Sequence, residues 1–254
     1  MFSAKIVYAG LYLVGLLTVT FAVPLRERPE LRKFFDDMVE KGFIKAIDYT
    51  YKYTPEEMGA LSKQLSLSPD DYGPYLSDRT APVKVSRMAG SGEYGGHKKA
   101  DLVIKTFPVN YSAAALGEIK ALELMGDLVD FGKNSKGDPV IIMRRKEGTR
   151  LNDIKAYHDA NTENKRQMVK ETGNLACAKA ASDAVHKGVW HNDQHLGNIL
   201  VTEVKDGSVK SIELIDYGEI NNYLVYDDGR NPDHESKFYG YCQFYWDWYF
   251  NNTL

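Results

Sequence analysis

Apolar residues occur along this chain in short runs and in longer stretches at helical spacing. The short runs have the length and the polar flanks that are typical of buried strands. They lie at 83–86, 102–105, 139–143, 199–201 and 212–215. Polar residues at the ends of such strands are the first candidates for chemistry, because active sites are usually built where buried elements end in turns.

Helical spacing of apolar residues appears in four stretches. Residues 30–40 carry an apolar stripe, and 113–125 are rich in alanine, leucine, glutamate and lysine, all good helix formers. Residues 164–187 predict a long helix that ends at Gly188, since glycine commonly caps the carboxyl end of a helix. The aromatic stretch 237–250 predicts one further helix.

Composition and charge narrow the class of protein. The chain has 254 residues, of which 43% are hydrophobic, enough to bury a full core in one large domain or two lobes. The formal net charge is -3, so the chain lacks the overall basic field of a nucleic-acid-binding protein. We therefore expect no nucleic-acid partner.

The N-terminus has the pattern of a secretory signal. Lys5 is the only charge before the apolar run 6–21, and small residues around Ala22 suit a signal peptidase, which predicts a signal peptide over residues 1–22. The competing interpretation is an uncleaved anchor over 6–23, which is just long enough to span a bilayer. Cleavage would leave no stable membrane span and a protein that is secreted or held in the lumen of the secretory pathway.

Two other features agree with a secretory route. Asn110 and Asn251 each begin a sequence that fits the N-glycosylation acceptor pattern, and so predict a glycoprotein. Cys177 and Cys242 could form one disulfide in an oxidising compartment, or remain two separately buried thiols. No cysteine spacing typical of a zinc site is present in the sequence.

Two polar segments carry the strongest chemical signal, 191–200 and 212–219. Phosphoryl transfer needs a carboxylate that receives the hydroxyl proton and oxygen ligands that hold a divalent cation on the nucleotide. Asp193, Asn198 and Asp216 supply that set. The kinase catalytic loop has the same spacing of five residues from base to asparagine, followed after one hairpin by an Asp-Phe-Gly turn.

On these motifs the chain resembles the protein-kinase-like superfamily over roughly residues 81–249. The resemblance implies an α+β, two-lobed fold, with a small antiparallel sheet and one helix at about 81–143 and a reduced, mainly helical lobe at about 148–254. Residues 23–80 are then an N-terminal extension, partly helical, either packed on the domain or used to recognise a partner. The resemblance also implies ATP and Mg²⁺ (or Mn²⁺) as cofactors.

The resemblance gives roles to the three residues of the polar segments. Asp193 is the catalytic base, and Asn198 and Asp216 are the metal ligands. His195 lies where conventional Ser/Thr kinases carry a lysine. A histidine at this position resembles atypical kinases and aminoglycoside and choline phosphotransferases. It either assists the transferring phosphate or makes a structural hydrogen bond.

A glycine pattern precedes the strand that ends in Lys105. Gly90, Gly92 and Gly95, with Tyr94 near the tip, fit G-x-G-x-x-G, although glycine clusters also make ordinary hairpins. By resemblance this loop covers the phosphates and Lys105 contacts them; the alternative is that Lys105 is a lysine on a solvent-facing strand.

Two further site residues and the adenine site follow from the same resemblance. Glu118 is selected over Glu123 as the carboxylate that orients the catalytic lysine. Met143 lies at the rear of the nucleotide pocket, and the backbone of Arg145 and Lys146 meets adenine at the hinge between the lobes.

The resemblance therefore predicts that the protein is an ATP-dependent phosphotransferase. The first choice is a secreted atypical Ser/Thr protein kinase, whose acceptor is a hydroxyl of a protein. A small-molecule kinase of the aminoglycoside or choline phosphotransferase type is the second. A pseudokinase that serves as a binding module is the alternative from another class. The short segment that follows Asp216 in this chain resembles that of compact kinases which some pathogens deliver as effectors. Delivery into another cell is therefore a further expectation.

Overall fold

The computed structural model describes residues 29–47, 54–77, 80–109, 112–218 and 222–253. The predicted signal peptide over residues 1–22 and the glycosylation site at Asn110 lie outside the described residues.

Helices and strands are interspersed along the described chain. The helices are α1 Pro29–Glu40, α2 Pro55–Ala60, α3 Ser112–Met125, α4 Lys155–Asp159, α5 Thr162–Lys187 and α6 Glu235–Thr253. The strands are β1 Ile44–Ala46, β2 Tyr72–Tyr75, β3 Lys84–Met88, β4 Glu93–Tyr94, β5 His97–Lys98, β6 Leu102–Thr106, β7 Leu128–Lys133, β8 Pro139–Arg144, β9 Thr149–Arg150, β10 Val189–His191, β11 Ile199–Lys205, β12 Ser208–Leu214 and β13 Asn222–Val225. The α+β class predicted from the sequence is confirmed.

A five-stranded antiparallel sheet with the order β2-β3-β6-β8-β7 forms the first lobe. Helix α3 packs on strands β7 and β8 of this sheet. Strand β6 lies at its centre, where Lys105 stands opposite Val85 of β3 and Ile141 of β8. The boundary predicted near Ala81 falls within this sheet, between the paired strands β2 and β3, so part of the predicted extension belongs to the first lobe.

The second lobe is built on α5, which is 26 residues long. The Asn161 side chain accepts a hydrogen bond from the backbone N–H of Asn164 at its start, and Gly188 ends it with a φ of +79°, as predicted. Helix α6 packs along α5, and a disulfide joins Cys177 of α5 to Cys242 of α6. The two cysteines thus form one bond, which settles the alternative that the sequence left open.

Two three-stranded sheets complete the second lobe, with the orders β12-β11-β9 and β1-β13-β10. The two long helices of this lobe, of 26 and 19 residues, contain more of its residues than these short strands do, as predicted. Its loops between β10 and β11 and between β12 and β13 carry the two polar segments singled out in the sequence.

Residues of the predicted extension pack on the second lobe as well as the first. Strand β1 pairs with β13, and helix α1 contacts α6. The Phe34 ring meets Phe238 edge to face with 5.2 Å between ring centroids, and Phe35 stacks on Tyr241 at 5.5 Å. Such aromatic contacts add to the free energy gained by burying the rings, so α1 is an integral part of this lobe.

A helix that spans a membrane needs about 20 consecutive, predominantly apolar residues. None of the helices within the described residues is long and apolar enough to cross a bilayer.

Candidate active site

A cavity of about 490 Å³ lies between the two lobes. The first lobe contributes residues of β3, β6, α3 and β8, and the second contributes residues of β9, β11 and the segment after β12. Apolar side chains such as Val103 and Met143 share its wall with charged groups that include Lys105, Glu118 and Asp216. Apolar walls with a few convergent polar groups are typical of small-ligand sites.

Lys105 lies at the centre of the charged wall. Its Nζ is 2.7 Å from Glu118 Oε2 and 2.6 Å from Asp216 Oδ1. Lys105 is 5% exposed and Glu118 is 1% exposed, whereas Glu123 is exposed on the other side of α3. The structure therefore brings Lys105, Glu118 and Asp216 together, and the pairing chosen from the sequence is the one observed. Lys105 is not a solvent-facing lysine.

Charge within this cluster shifts two pKa values in opposite directions. Burial alone would lower the pKa of Lys105, but the carboxylates of Glu118 and Asp216 outweigh it and raise that pKa above its usual range. Partial burial would raise the pKa of Asp216, but the Lys105 ammonium lowers it below its ordinary value. The cluster thus holds a fixed cation between two anions.

Gly218 permits this close arrangement. A Cβ added to Gly218 would lie 2.5 Å from Glu118 Oε2 and 3.5 Å from Lys105 Nζ. A larger residue would push the turn away from α3 or break the ion pair. The glycine of the Asp216-Tyr217-Gly218 turn is thus required by the packing of the turn against the lysine and its partner.

Asn198 and Asp216 are the predicted metal ligands, and both line the cavity. The backbone N–H of Ile215 donates to the Asn198 carbonyl at 3.0 Å, which ties the two loops together. The Asn198 amide nitrogen donates to the Asp193 backbone oxygen at 3.1 Å and to Asp193 Oδ2 at 3.0 Å, which leaves Asn198 Oδ1 for another partner.

These donors fit a hard divalent cation. A carboxylate and an amide oxygen on one wall suit Mg²⁺, which usually takes one or two protein ligands and completes its shell with water and phosphate oxygens. Among the described residues no group of three or more His, Cys, Asp or Glu side chains could hold a metal by itself. The two oxygens thus suit a Mg²⁺ ion that also takes water or phosphate oxygens as ligands.

Asp193 and His195 lie on the loop between β10 and β11, at the solvent edge of this arrangement. The Asp193 side chain is 38% exposed, and His195 Nε2 lies 3.8 Å from its Oδ2. His195 Nδ1 accepts a hydrogen bond from the Gly197 backbone N–H at 3.0 Å. That bond shapes the loop, which is the structural role that the sequence left open beside phosphate contact.

His191 supports the same loop from within the core. It is fully buried, and its Nε2 donates to the Ile215 carbonyl at 2.9 Å. Burial lowers the pKa of His191, so the ring is held neutral. It also meets the Tyr217 ring edge to face at 5.0 Å between ring centroids.

The glycine run lies elsewhere. Gly90, Gly92 and Gly95 are in the connection between β3 and β6, where β4 and β5 form their own two-stranded hairpin, and none of the three lines the cavity. The Tyr94 hydroxyl donates to Asp130 Oδ2 of β7 at 2.9 Å, on the outer part of the first lobe. The structure thus places Gly90, Gly92, Tyr94 and Gly95 away from the cavity: Gly95, with a φ of +57°, lies in the turn between β4 and β5, and Gly90 and Gly92 precede β4.

The connection between β2 and β3 reaches the cavity instead. Leu76 and Ser77 line it, the Leu76 N–H donates to the Val85 carbonyl at 2.8 Å, and the Val85 N–H donates to Ser77 Oγ at 3.0 Å. No strand is predicted at β2, because Gly73 and Pro74 are typical of a loop, but β2 pairs with β3. Gly73 is needed there, since a Cβ would lie 2.9 Å from the Arg87 carbonyl.

The predicted hinge residues are all at the cavity, but they are not equivalent. Met143, Arg145 and Lys146 line it. The Arg145 N–H donates to the Asp101 carbonyl at 2.8 Å and is not free for a base. Lys146 Nζ lies 2.6 Å from the buried Asp127 carboxylate, which fixes the course of the chain between the lobes.

Part of the chain is similar to a known protein family. Residues 133–227 match the family described as the ABC1 atypical kinase-like domain, a range that includes Asp193, Asn198 and Asp216. No curated protein matches the chain. Among solved structures, the chain is similar to the one titled "Crystal structure of BubR1 kinase domain", with 18% identity and a TM-score of 0.37. The match covers 79% of this chain and 61% of that chain, so this chain spans less than two thirds of the BubR1 kinase domain.

Proposed function

We propose that the chain is an ATP-dependent phosphotransferase that transfers the γ-phosphate of ATP to a hydroxyl, because residues 133–227 match the ABC1 atypical kinase-like domain. The observation that carries this proposal is the contact of Lys105 with both Glu118 and Asp216 at one wall of the cavity between the lobes. Asp193 and Asn198 lie beside that wall on the adjacent loop.

In this proposal each residue of the site has a role that follows from the chemistry of its side chain. Lys105 places a fixed positive charge where phosphate oxygens would lie, and Glu118 keeps that charge in position. Asn198 Oδ1 and the Asp216 carboxylate would hold Mg²⁺ or Mn²⁺, which when bound neutralises the charge of the phosphates. The carboxylate of Asp193 orients the acceptor hydroxyl and receives its proton.

The nucleotide lies along the cavity in this proposal. The base is placed between Val103 and the hinge, where the backbone of Lys146 and the side chain of Met143 meet it. Leu76 and Ser77, which directly follow β2, cover the phosphates. The glycine run at residues 90–95 has no part in binding.

A Ser or Thr hydroxyl of a protein is our first choice of acceptor. Asp193 and His195 are 38% and 46% exposed, so a hydroxyl on a large molecule can approach the proposed base from solvent. A small-molecule hydroxyl, as in aminoglycoside or choline phosphotransferases, is the second candidate, because the resemblance places a histidine at position 195 in those enzymes as well as in atypical kinases.

We also propose that the protein acts in an oxidising compartment, either the lumen of the secretory pathway or outside the cell. The disulfide between Cys177 and Cys242 supports this proposal, because such bonds persist mainly in secreted and luminal proteins. Delivery into another cell is compatible with the same route.

Incubation of the purified protein with ATP labelled at the γ-phosphate, in Mg²⁺ or Mn²⁺, tests the proposal. We expect label on the protein itself or on an added protein acceptor. A parallel mixture of sugars, aminoglycosides and choline tests the small-molecule acceptor. Nucleotide binding without transfer to water or to any acceptor would instead identify a pseudokinase.

A further inference from the structure

Asp216 has an unusual backbone conformation. Its φ is +66°, in the left-handed region that residues other than glycine adopt infrequently. A residue in such a conformation persists only where its surroundings hold it there. Since the direction of the Asp216 side chain depends on this conformation, the groups that hold the turn also determine where the proposed metal ligand points.

Asn222 makes the contacts that hold this turn. Its amide nitrogen donates to the Gly218 carbonyl at 2.8 Å and to the Asp216 carbonyl at 3.4 Å. Its Oδ1 accepts a hydrogen bond from the backbone N–H of Asn192 at 3.2 Å, at the start of the loop that carries Asp193. One buried side chain thus joins the two loops that carry the proposed base and the metal ligands.

The orientation of the Asn222 amide follows from its neighbours. Two carbonyl oxygens face one end of the amide and one N–H group faces the other, so only one orientation satisfies all three. Asn222 is fully buried, so an unpaired amide or carbonyl here would lose its hydrogen bond to water without replacement. Aspartate, serine and alanine each lack at least one of these bonds.

The side chain of Asn222 and its backbone make different contacts, so the role of each can be considered on its own. Asn222 belongs to β13, where it stands opposite His191 of β10, and its backbone oxygen accepts from the Ile47 N–H at 2.7 Å. Those contacts involve backbone atoms and are unaffected by substitution of the side chain. The amide therefore serves the two loops and not the sheet.

We infer that Asn222 is a positioning residue for the proposed phosphoryl transfer, in which its amide holds Asp216 and the Asp193 loop in register for a metal-bound nucleotide. This inference rests on the proposed function and deepens it. Asn222 contacts neither nucleotide nor acceptor; it acts through Asp216 and the Asn192 backbone. No local sequence pattern marks Asn222, because its role arises from contacts made only in the folded chain.

The test compares two variants of Asn222 with a matched control. Asn222→Asp keeps the size and the acceptor oxygen but loses both donated bonds, and Asn222→Ser is a second variant without a buried charge. The control is Asn134→Asp, because Asn134 is also buried and stabilises a turn, with Oδ1 accepting from the Lys136 and Asp138 N–H groups at 2.9 and 3.0 Å, and it does not line the cavity.

Two quantities are measured: the affinity for a non-hydrolysable ATP analogue in EDTA, and the gain in that affinity on adding Mg²⁺. We expect the Asn222 variants to keep the EDTA affinity within about twofold and to lose about tenfold or more in apparent Mg²⁺ affinity, a typical effect of removing a residue that supports a metal ligand. The control should be less stable than wild type but keep the wild-type response to Mg²⁺. An unchanged Mg²⁺ response in a folded Asn222 variant would overturn the inference.

A crystal structure of Asn222→Ser without ligands separates this inference from the proposed function. We expect Asp216 to leave its positive φ and its 2.6 Å contact with Lys105. Retention of both would overturn the positioning role even if wild type transfers phosphate. Conversely, a wild-type protein that binds no nucleotide would end the proposed function, while this structure would still decide whether Asn222 holds the turn.

Discussion

The Glu118 carboxylate lies 2.7 Å from the Lys105 ammonium, and this contact joins helix α3 to strand β6. Both side chains are buried, so the pair is shielded from water and the position of the ammonium is well defined. The contact also explains why Gly218, which would otherwise place a Cβ 2.5 Å from Glu118 Oε2, carries no side chain.

Glu118→Gln is expected to lower phosphate transfer by about tenfold or more, because the buried ammonium of Lys105 loses a charged partner and its position relaxes. Steady-state kinetics with labelled ATP measure the effect, and the KM for ATP should rise with it. The matched variant is Glu123→Gln on the exposed face of α3, which should keep wild-type kinetics. Equal losses in the two variants would contradict the assignment of Glu118.

Substitutions in the two loops of the first lobe should differ in their effect on nucleotide binding. Gly92→Ala is expected to leave the affinity within about twofold of wild type, since the added Cβ has no heavy atom within 4 Å and the residue does not line the cavity. Leu76→Asp is expected to weaken it by about tenfold, because a carboxylate would face the phosphates. Titration with a fluorescent ATP analogue gives both values. Weaker binding in Gly92→Ala alone would restore the glycine loop as the phosphate site.

Removal of the disulfide is expected to destabilise the second lobe. The bond between Cys177 and Cys242 closes a loop with a sequence separation of 65 residues, and loss of a bond of this kind typically costs about 2–4 kcal/mol. The double variant Cys177→Ala/Cys242→Ala should show this loss in urea denaturation, and wild type should approach it after reduction. Identical denaturation midpoints for oxidised and reduced wild type would argue against the bond.

Asp71 gives a prediction on the pH dependence of stability. The Lys99 ammonium at 2.6 Å, together with hydrogen bonds from Ser68, lowers the pKa of Asp71 below its ordinary value of 3.8. Because the folded state favours the ionised carboxyl, the contribution is fully present above the unfolded pKa and is lost as the pH falls through the folded pKa.

Asp71→Asn should therefore be less stable than wild type by about 1 kcal/mol between pH 5 and 7, with a difference that shrinks below about pH 4. Urea denaturation at a series of pH values measures this difference. Asp70→Asn, at the exposed neighbouring position, is the control and should follow wild type at each pH. A difference for Asp71→Asn that grows as the pH falls would have the wrong sign for this account.

The sequence predicted the second lobe's loops better than the first lobe's. Asp193, Asn198 and Asp216 lie within short polar segments beside buried strands, so their spacing alone indicated one site. The family resemblance, and not the order along the chain alone, selected Glu118 over Glu123 as the partner of Lys105. The glycine pattern did not distinguish a phosphate-binding loop from an ordinary hairpin, because glycine indicates only a need for backbone freedom, which Gly90 and Gly95 show by their positive φ beside β4 and β5.

Other features depended on long-range contacts that no local pattern reveals. Strand β2 contains Gly73 and Pro74, and only its pairing with β3 shows that it belongs to the sheet. The same pairing places Ser77 at the cavity. Asn222 acts through partners four, six and thirty residues away in sequence, at Gly218, Asp216 and Asn192. The Cys177–Cys242 bond likewise could not be predicted from spacing, because only the packing of α5 on α6 brings the two cysteines together.

The most direct test of the central claim is phosphate transfer from γ-labelled ATP by wild type and by Asp193→Ala, measured beside the affinity of each for ATP with Mg²⁺. Loss of the proposed base should reduce transfer by at least about a hundredfold, since general base catalysis contributes on that order or more, and leave ATP affinity within about threefold. Asn192→Ala is the neighbouring control, as its backbone N–H to Asn222 is retained. Transfer by Asp193→Ala at the wild-type rate, or no transfer by wild type to any acceptor, would contradict the account.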